Sequence, residues 1–510
     1  MHSAGVTRYV RIVSVACASA AACHLLFIAP AFAQSPAHLS DDLSSSLSQG
    51  PGSRKTMSVI VHGSAEEVAG IAARHGVRVK RLMSSGAVLE ADAAGLESLR
   101  SDELVDHISG DLPISSGASS DRGGPVRQAS ESRIPNPESR VPNPESPVPN
   151  LLDEVIRTIG ADKAWRGTGD RRGATGKGVG IAIIDSGVWA RHPALKGHIV
   201  ATADFTDEGA KPGADVYGHG THVAGIIAGS AEGFTGVAPE AHLVNLRVIG
   251  SDGSGLTSWA IEAIDWAIAH KDQYKLRVLN LSFGHPPTES YKTDPLCEAV
   301  ARAVKAGLVV VAAAGNHGRN EAGQTVNGSI ESPGISPDAI TVGALHTHGT
   351  IDPSDDTVPN WSGLGPTWPD GILKPDLAAP GVKITSAEAR GSRLALDHPD
   401  WHVEGSNAVG YLTLSGTSMA TAVVSGAAAL LVQSEPQLTP DQISRLAVVE
   451  ISQQSMTPNW ITANHVSTIV WGSTIVWGST IVWGSTIVWG SVNIALDDAN
   501  GITESGQLGR

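Results

Sequence analysis

Cysteine is nearly absent from this chain. It occurs 3 times in 510 residues, and Cys17 and Cys23 both fall in an apolar stretch near the start. Once that stretch is removed Cys297 stands alone, so an intrachain disulfide is excluded and stability has to come from packing. Charge is scarce as well: 17% of residues are Asp, Glu, Lys or Arg, and acids exceed bases by 51 to 36, a formal net charge of -15. A negative surplus on this scale excludes nucleic acid as a partner, because phosphate binding needs a basic surface. Glycine, in contrast, is plentiful at 57 residues, and with so little charge the composition fits a compact, loop-rich, secreted protein. Arg8 and Arg11 precede the apolar run 12–28, and Ala31-Phe32-Ala33 follows, the order of a cleaved secretory signal over residues 1–33. A lipid anchor on Cys17 or Cys23 is the alternative, and the residues before each fit it poorly.

Beyond the signal the chain divides by composition. Residues 57–108 read as strand (58–63), capped amphipathic helix (64–76), strands (77–83 and 87–92), helix (94–102) and strand (103–109). This β-α-β-β-α-β order is that of a small ferredoxin-like α+β unit, placed at 34–114. From 115 to 150 proline and serine take over, with RIPNPES followed by RVPNPES. Proline at this density blocks helices and ladders, which predicts an extended, exposed, cleavable linker. From 151 to about 500 short apolar runs (179–185, 242–248, 277–284, 307–316 and 339–344) alternate with helical spacing (221–230, 258–270 and 296–307). Continuous apolar strands separated by helices predict an α/β unit, three layers deep, around a mostly parallel sheet. Active sites in such folds gather beyond the carboxyl ends of the strands.

Three small-residue junctions carry candidate chemistry. Asp185 ends the run 179–185 and is followed by Ser186-Gly187; His219 sits in GHGTHVAG (218–225); Ser418 sits in GTSMAT (416–421), ahead of an uncharged run suited to a buried helix. Each has an ordinary explanation as a turn or cap residue. Together they supply a nucleophile at a helix mouth, where unpaired N–H groups favour an oxyanion, with a base and an acid to orient it.

The motifs DSGV (185–188), HGTHVAG (219–225) and GTSMAT (416–421) resemble the catalytic signatures of the subtilisin-like serine peptidases, in that family's Asp, His, Ser order. The resemblance implies that Ser418 attacks the scissile carbonyl, His219 relays its proton and Asp185 orients the imidazole. AAAGN (312–316) resembles the oxyanion motif, which implies that Asn316 holds the developing charge beside the N–H of Ser418. DGSG (252–255) and LSFG (281–284) resemble the two backbone edges that hold a peptide as an added strand. Gly253, Gly255, Ser282, Gly284 and Gly315 are the implied substrate-binding residues, and their small bulk suggests a roomy primary pocket and broad specificity. The implied partners are protein or peptide substrates, together with the chain's own 34–114 unit, which resembles a propeptide that aids folding and then inhibits. Processing is expected between 110 and 150. No cofactor or metal is expected.

Two departures from the family pattern stand out. Ala422 occupies a position usually held by proline, which predicts a slightly less rigid turn. Only Ala231, Glu232 and Gly233 remain where relatives often carry a calcium-binding loop, too few oxygen ligands for that site. Two rival readings are a zinc hydrolase built on His219 and His222, which lacks the HExxH glutamate, and a silent adhesin acting through a repeat. STIVWG recurs in register over 467–490, ahead of the segment 490–499 that resembles the family's closing element and a tail at 501–510. Its even period puts the same residues on the same face of a strand in every copy, so a sticky β segment for self-association or surface attachment is one reading. An expanded low-complexity insert is the other.

Overall fold

Val59, Ile60 and Val61 are buried in succession within Met57–His62, and Ser64 caps the helix that follows, so this strand is covered on both faces. The computed structural model describes residues 36–48, 56–117, 152–167, 172–209, 213–320, 322–405, 408–447 and 467–468. The signal, the linker beyond 117, nearly all of the repeat, the 490–499 segment and the tail lie outside the described residues. In chain order the first unit contains β1 (His38–Leu39), α1 (Asp41–Ser48), β2 (Met57–His62), α2 (Ala65–Arg74), β3 (Arg78–Met83), β4 (Gly86–Ala91), α3 (Ala93–Arg100) and β5 (His107–Gly110). Ser64 and Glu67 form a reciprocal capping box at the start of α2. The sheet order is β1-β5-β2-β4-β3, antiparallel except for β1 against β5. The expected β-α-β-β-α-β run is therefore present, preceded by β1 and α1. Those two elements are short, and the serine-rich α1 buries only Leu43, so its sequence carries little periodic signal.

The two faces of this sheet have different partners. Val59, Val61 and Leu89 pack with Val68, Ile71, Leu96 and Leu99 of the unit's own helices. Ile60, Met83 and Val88 on the other face join a core shared with the main unit. Next comes β6 (Pro113–Ser115), which leaves the sheet altogether and pairs with the main unit.

The main unit runs α4 (Asp153–Thr158), α5 (Ala161–Arg166), β7 (Gly180–Asp185), β8 (Ile199–Asp204), α6 (His219–Ala228), β9 (Ser230–Ala231), β10 (Phe234–Thr235), β11 (His242–Arg247), β12 (Ser254–Leu256) and α7 (Thr257–His270). It continues with β13 (Leu276–Leu281), α8 (Pro295–Lys305), β14 (Val309–Ala313), β15 (Ile340–Leu345), β16 (Leu377–Pro380), β17 (Ile384–Ala387), α9 (Arg393–Asp397), β18 (His402–Glu404), β19 (Gly410–Leu414), α10 (Thr417–Ser434), α11 (Pro440–Ala447) and β20 (Ser467–Thr468). The central sheet is parallel, in the order β20-β16-β15-β14-β13-β7-β11-β8. Ile181 and Ile183 face a layer with Val223 and Ile227 of α6 and Val423 and Ala427 of α10. Ala182 and Ile184 face the layer of α7 and α8, through Ala260, Ile264 and Val300. Burial on both faces gives continuous apolar strands, and the three-layer α/β expectation holds.

The elements that sequence reading passed over are those with weak patterns. β8 is a half-buried edge strand, and β17, β18 and β19 form a small antiparallel sheet of their own. The stretch Ser230–Thr235, where the calcium loop was expected to be missing, is a tight antiparallel hairpin of β9 and β10. Helix α10 is the described helix with the length and hydropathy of a membrane span, and 89% of it is buried inside the protein.

Candidate active site

Parallel strands leave their carboxyl ends on one edge, and three of them deliver candidate residues there. Asp185 is the last residue of β7, and its Oδ1 takes the N–H of Ser186 at 2.7 Å. Helix α6 begins at His219, whose Nδ1 lies 2.8 Å from Asp185 Oδ1 and 3.0 Å from Oδ2. This close approach needs Gly220: a Cβ there would stand 2.1 Å from the carbonyl oxygen of Gly187. Both partners are almost wholly buried, Asp185 at 0% and His219 at 1% exposure, so their interaction is little screened. With Nδ1 held as a donor to the carboxylate, Nε2 is left as the basic nitrogen, and it has no hydrogen-bond partner.

Ser418 is the second residue of α10, with Gly416 ahead of the helix as its cap. Its hydroxyl oxygen lies 3.1 Å from the carbonyl oxygens of both Ser282 and Ser116, so its one proton is shared between these acceptors and not directed to His219. Asn316 follows the end of β14, and its Oδ1 accepts from the N–H of Thr417 at 3.0 Å and from its hydroxyl at 3.1 Å. The amide is thereby oriented with Nδ2 toward the cleft, where it meets Gly117: a Cβ on Gly117 would lie 2.3 Å from it.

What fills the cleft is the end of the N-terminal unit. Strand β6 pairs antiparallel with β12, Ile114 opposite Gly255 and Ser115 opposite Ser254. On its other side Ser115 exchanges two backbone bonds with Gly284, both 3.0 Å. Segment 113–117 is thus an added strand between the two edges that the sequence singled out, ending at Ser418 and Asn316. It runs past the 114/115 boundary that composition suggested, because pairing to an edge leaves no compositional mark.

A family description, the subtilase family, matches residues 176–465, more than half of the 510. The chain belongs to the subtilase family. A serine protease, AprX, of Bacillus subtilis is 40% identical over 283 residues, 53% of this chain and 61% of the relative. A subtilisin of Bacillus pumilus is 35% identical over 274 residues and is covered over 83% of its length. A cold-adapted subtilisin-like serine proteinase of solved structure is 30% identical, with 97% of that chain covered and a TM-score of 0.44. The chain spans about three fifths of the length of the first curated relatives it matches.

The remaining subtilase positions fall as follows. Ser282 meets Ser418 twice, since its hydroxyl also donates to the carbonyl of Ser418 at 3.1 Å. Gly253 makes no backbone bond to the cleft strand; its N–H bonds to Gly250 and its bare face lies against Tyr217. Ala422 is fully buried in an unbroken α10. His222 points Nε2 at the carbonyls of Ile384 (3.1 Å) and Leu412 (2.9 Å), so it is a packed helix residue turned away from His219. Burial, helped by the nearby His219, depresses its pKa to about 3, which keeps it neutral.

Motif reading missed two groups here. Asp215 is buried and accepts from the Ser186 hydroxyl (2.9 Å), the Gly218 N–H (2.7 Å), and the N–H and hydroxyl of Thr221 (2.8 and 2.6 Å). It ties the Asp185 loop to the first turn of α6, and burial raises its pKa. Its one sequence signal is a carboxylate shortly before a glycine-led helix start. The other is Glu331, whose side chain lies against Gly284 and Gly315, two of the small residues from which a roomy pocket was expected.

Proposed function

We propose that this chain is a serine endopeptidase, exported and held silent by its own N-terminal unit until that unit is cut away. The observation that carries the reading is the peptide strand 113–117 laid between two cleft edges and ending against Ser418, Asn316 and the Asp185–His219 pair. In the reaction the Ser418 oxygen adds to a peptide carbonyl as its proton passes to His219 Nε2. The C–N bond then breaks as that proton reaches the leaving amine, and water removes the acyl group by the same two steps. Asp185 stabilises the imidazolium, and Asn316 Nδ2 with the N–H of Ser418 takes the oxyanion. In the precursor, the Ser418 hydroxyl shares its proton between the Ser116 and Ser282 carbonyls, which leaves the neighbouring base unpartnered.

A Cβ on Gly117 would stand 2.3 Å from Asn316 Nδ2, so the amide lies beside the residue two positions past Ser115, which favours Gly117–Ala118 as the first bond cut. Export rests on the charged, apolar and A-x-A order of residues 1–33. A serine-directed reagent should label the mature chain and leave Ser418→Ala unlabelled. The released N-terminal piece, weighed by mass spectrometry, should end at Gly117. A folded mature chain that takes no label would sink the peptidase reading, and a piece ending before Ser115 would sink the assigned bond.

A further inference from the structure

The side chain of the residue that donates the attacked carbonyl has to lie between two walls, Ser282–Gly284 on one side and Ala313–Gly315 on the other. Each wall ends in glycine, and the space a Cβ would take is filled in both cases by the same side chain. A Cβ on Gly284 would stand 2.6 Å from Glu331 Oε2, and one on Gly315 would stand 2.7 Å from Glu331 Cδ and 3.0 Å from Oε1. The carboxylate therefore bridges the ends of the two walls as a floor. Its place is fixed by backbone on both sides: the Glu331 N–H bonds to the Ala314 carbonyl at 3.1 Å, and Ser332 exchanges bonds of 2.9 and 3.1 Å with His285.

Glu331 is only 7% exposed. Oε1 takes a hydrogen bond from His317 Nδ1, and the His317 side chain is 55% exposed, so this partner sits on the solvent side. Oε2, facing Gly284, accepts no hydrogen bond among the described residues. A carboxylate oxygen left without a protein donor is open to an entering one, and a charged donor bonds it more strongly than a neutral one. Gly117, which reaches the cleft end, has no side chain and leaves the floor untouched.

We infer that Glu331 gives this subtilase a primary specificity for a lysine or arginine side chain on the residue supplying the attacked carbonyl. The inference rests on the peptidase reading and replaces the broad preference suggested by the small walls with a charged one. A neutral residue between the same walls gains nothing from Oε2, whereas an ammonium or guanidinium donates to it. Charge-assisted hydrogen bonds of this kind favour the cationic substrate by about ten- to a hundredfold.

The test compares peptide amides that differ only in that residue (Lys, Arg, Leu or Gln), with active sites counted by a serine-directed titrant. The mature chain should show kcat/KM for Lys and Arg about tenfold or more above Gln and Leu. Glu331→Gln, which keeps the volume, should bring the Lys-to-Leu ratio down to within about threefold of one, and Glu331→Asp should fall between. A labelled wild-type chain without the cationic preference overturns the inference and leaves the peptidase reading standing. So does a Glu331→Gln chain that slows every substrate in proportion, as loss of a merely structural glutamate would. A folded mature chain that takes no label overturns both.

Discussion

Asn316 is fixed by the half of its amide that faces away from the cleft. Thr417 gives two donors to Oδ1, so a flip would lose both bonds and turn Oδ1 toward the cleft. Asn316→Leu, of similar size but without a donor, should lower kcat by about a hundredfold or more with KM little changed, since the lost bond is made chiefly in the transition state. Steady-state kinetics on one peptide amide checks this. Another residue-scale effect lies far from the cleft. Burial, with Asp355, Glu154 and Asp352 nearby, raises the Asp356 pKa from 3.8 to about 7, and neither carboxylate oxygen has a hydrogen-bond partner. A carboxylate with a raised folded pKa is best tolerated when protonated, so it costs the native state nothing below about pH 4. The cost grows as pH rises to 7 and is complete above that. Asp356→Asn should therefore stabilise the fold at pH 8 by roughly 1–2 kcal/mol, after allowing for solvent screening, and leave pH 4 nearly unchanged. Thermal unfolding in a Ser418→Ala background measures both.

At the scale of elements, α10 is held to the sheet by a buried polar chain as well as by packing. The Ser425 hydroxyl donates to Asn280 Oδ1 (2.9 Å), Asn280 Nδ2 donates to the Ser282 hydroxyl (2.8 Å), and that hydroxyl donates to the Ser418 carbonyl. Four residues on α10, β13 and its exit thus fix the depth at which α10 meets β13. Ser425→Ala would leave a buried Asn280 oxygen without its donor and should lower stability by about 1–2 kcal/mol, read as a drop in the unfolding midpoint. The pair α6 and β7 meets by a different device, the bare face of Gly220 against the Gly187 carbonyl. Gly220→Ala should separate Asp185 from His219 and lower kcat/KM far more than a one-carbon change on an open helix would.

For the whole molecule, the N-terminal unit is bound by more than the strand in the cleft. Arg81 pairs with Glu262 at 2.6 Å and with Asp207, Ser84 donates to Asp265 at 2.5 Å, and Asp111 takes the N–H and hydroxyl of Ser258 at 3.0 Å each. Ile60, Met83 and Val88 bury the apolar side of that contact against the α7 layer. Arg81→Ala should loosen the cut unit about tenfold, seen as earlier onset of peptidase activity after processing. Ser467–Thr468, the first residues of the repeat, pair in parallel with Leu377–Ala378 at the sheet edge. If the repeat mediates association, deleting 467–490 should abolish any oligomer or surface retention while peptide hydrolysis persists. An unchanged state in gel filtration would remove that idea.

Sequence by itself determined the layers and marked the candidate groups. Continuous apolar strands spaced by helices need burial on both faces, and the local junctions around Asp185, His219, Asn316 and Ser418 keep their meaning wherever they lie in the chain. Tertiary structure alone decided how those groups are held and what they meet. Asp215 and Glu331 are ordinary acids in sequence, and their importance comes from partners that folding brings: Ser186 and Thr221 for one, Gly284 and Gly315 for the other. Residues 115–117 looked like the start of a linker because edge pairing depends on backbone, which every residue has, and therefore leaves little trace in side-chain composition.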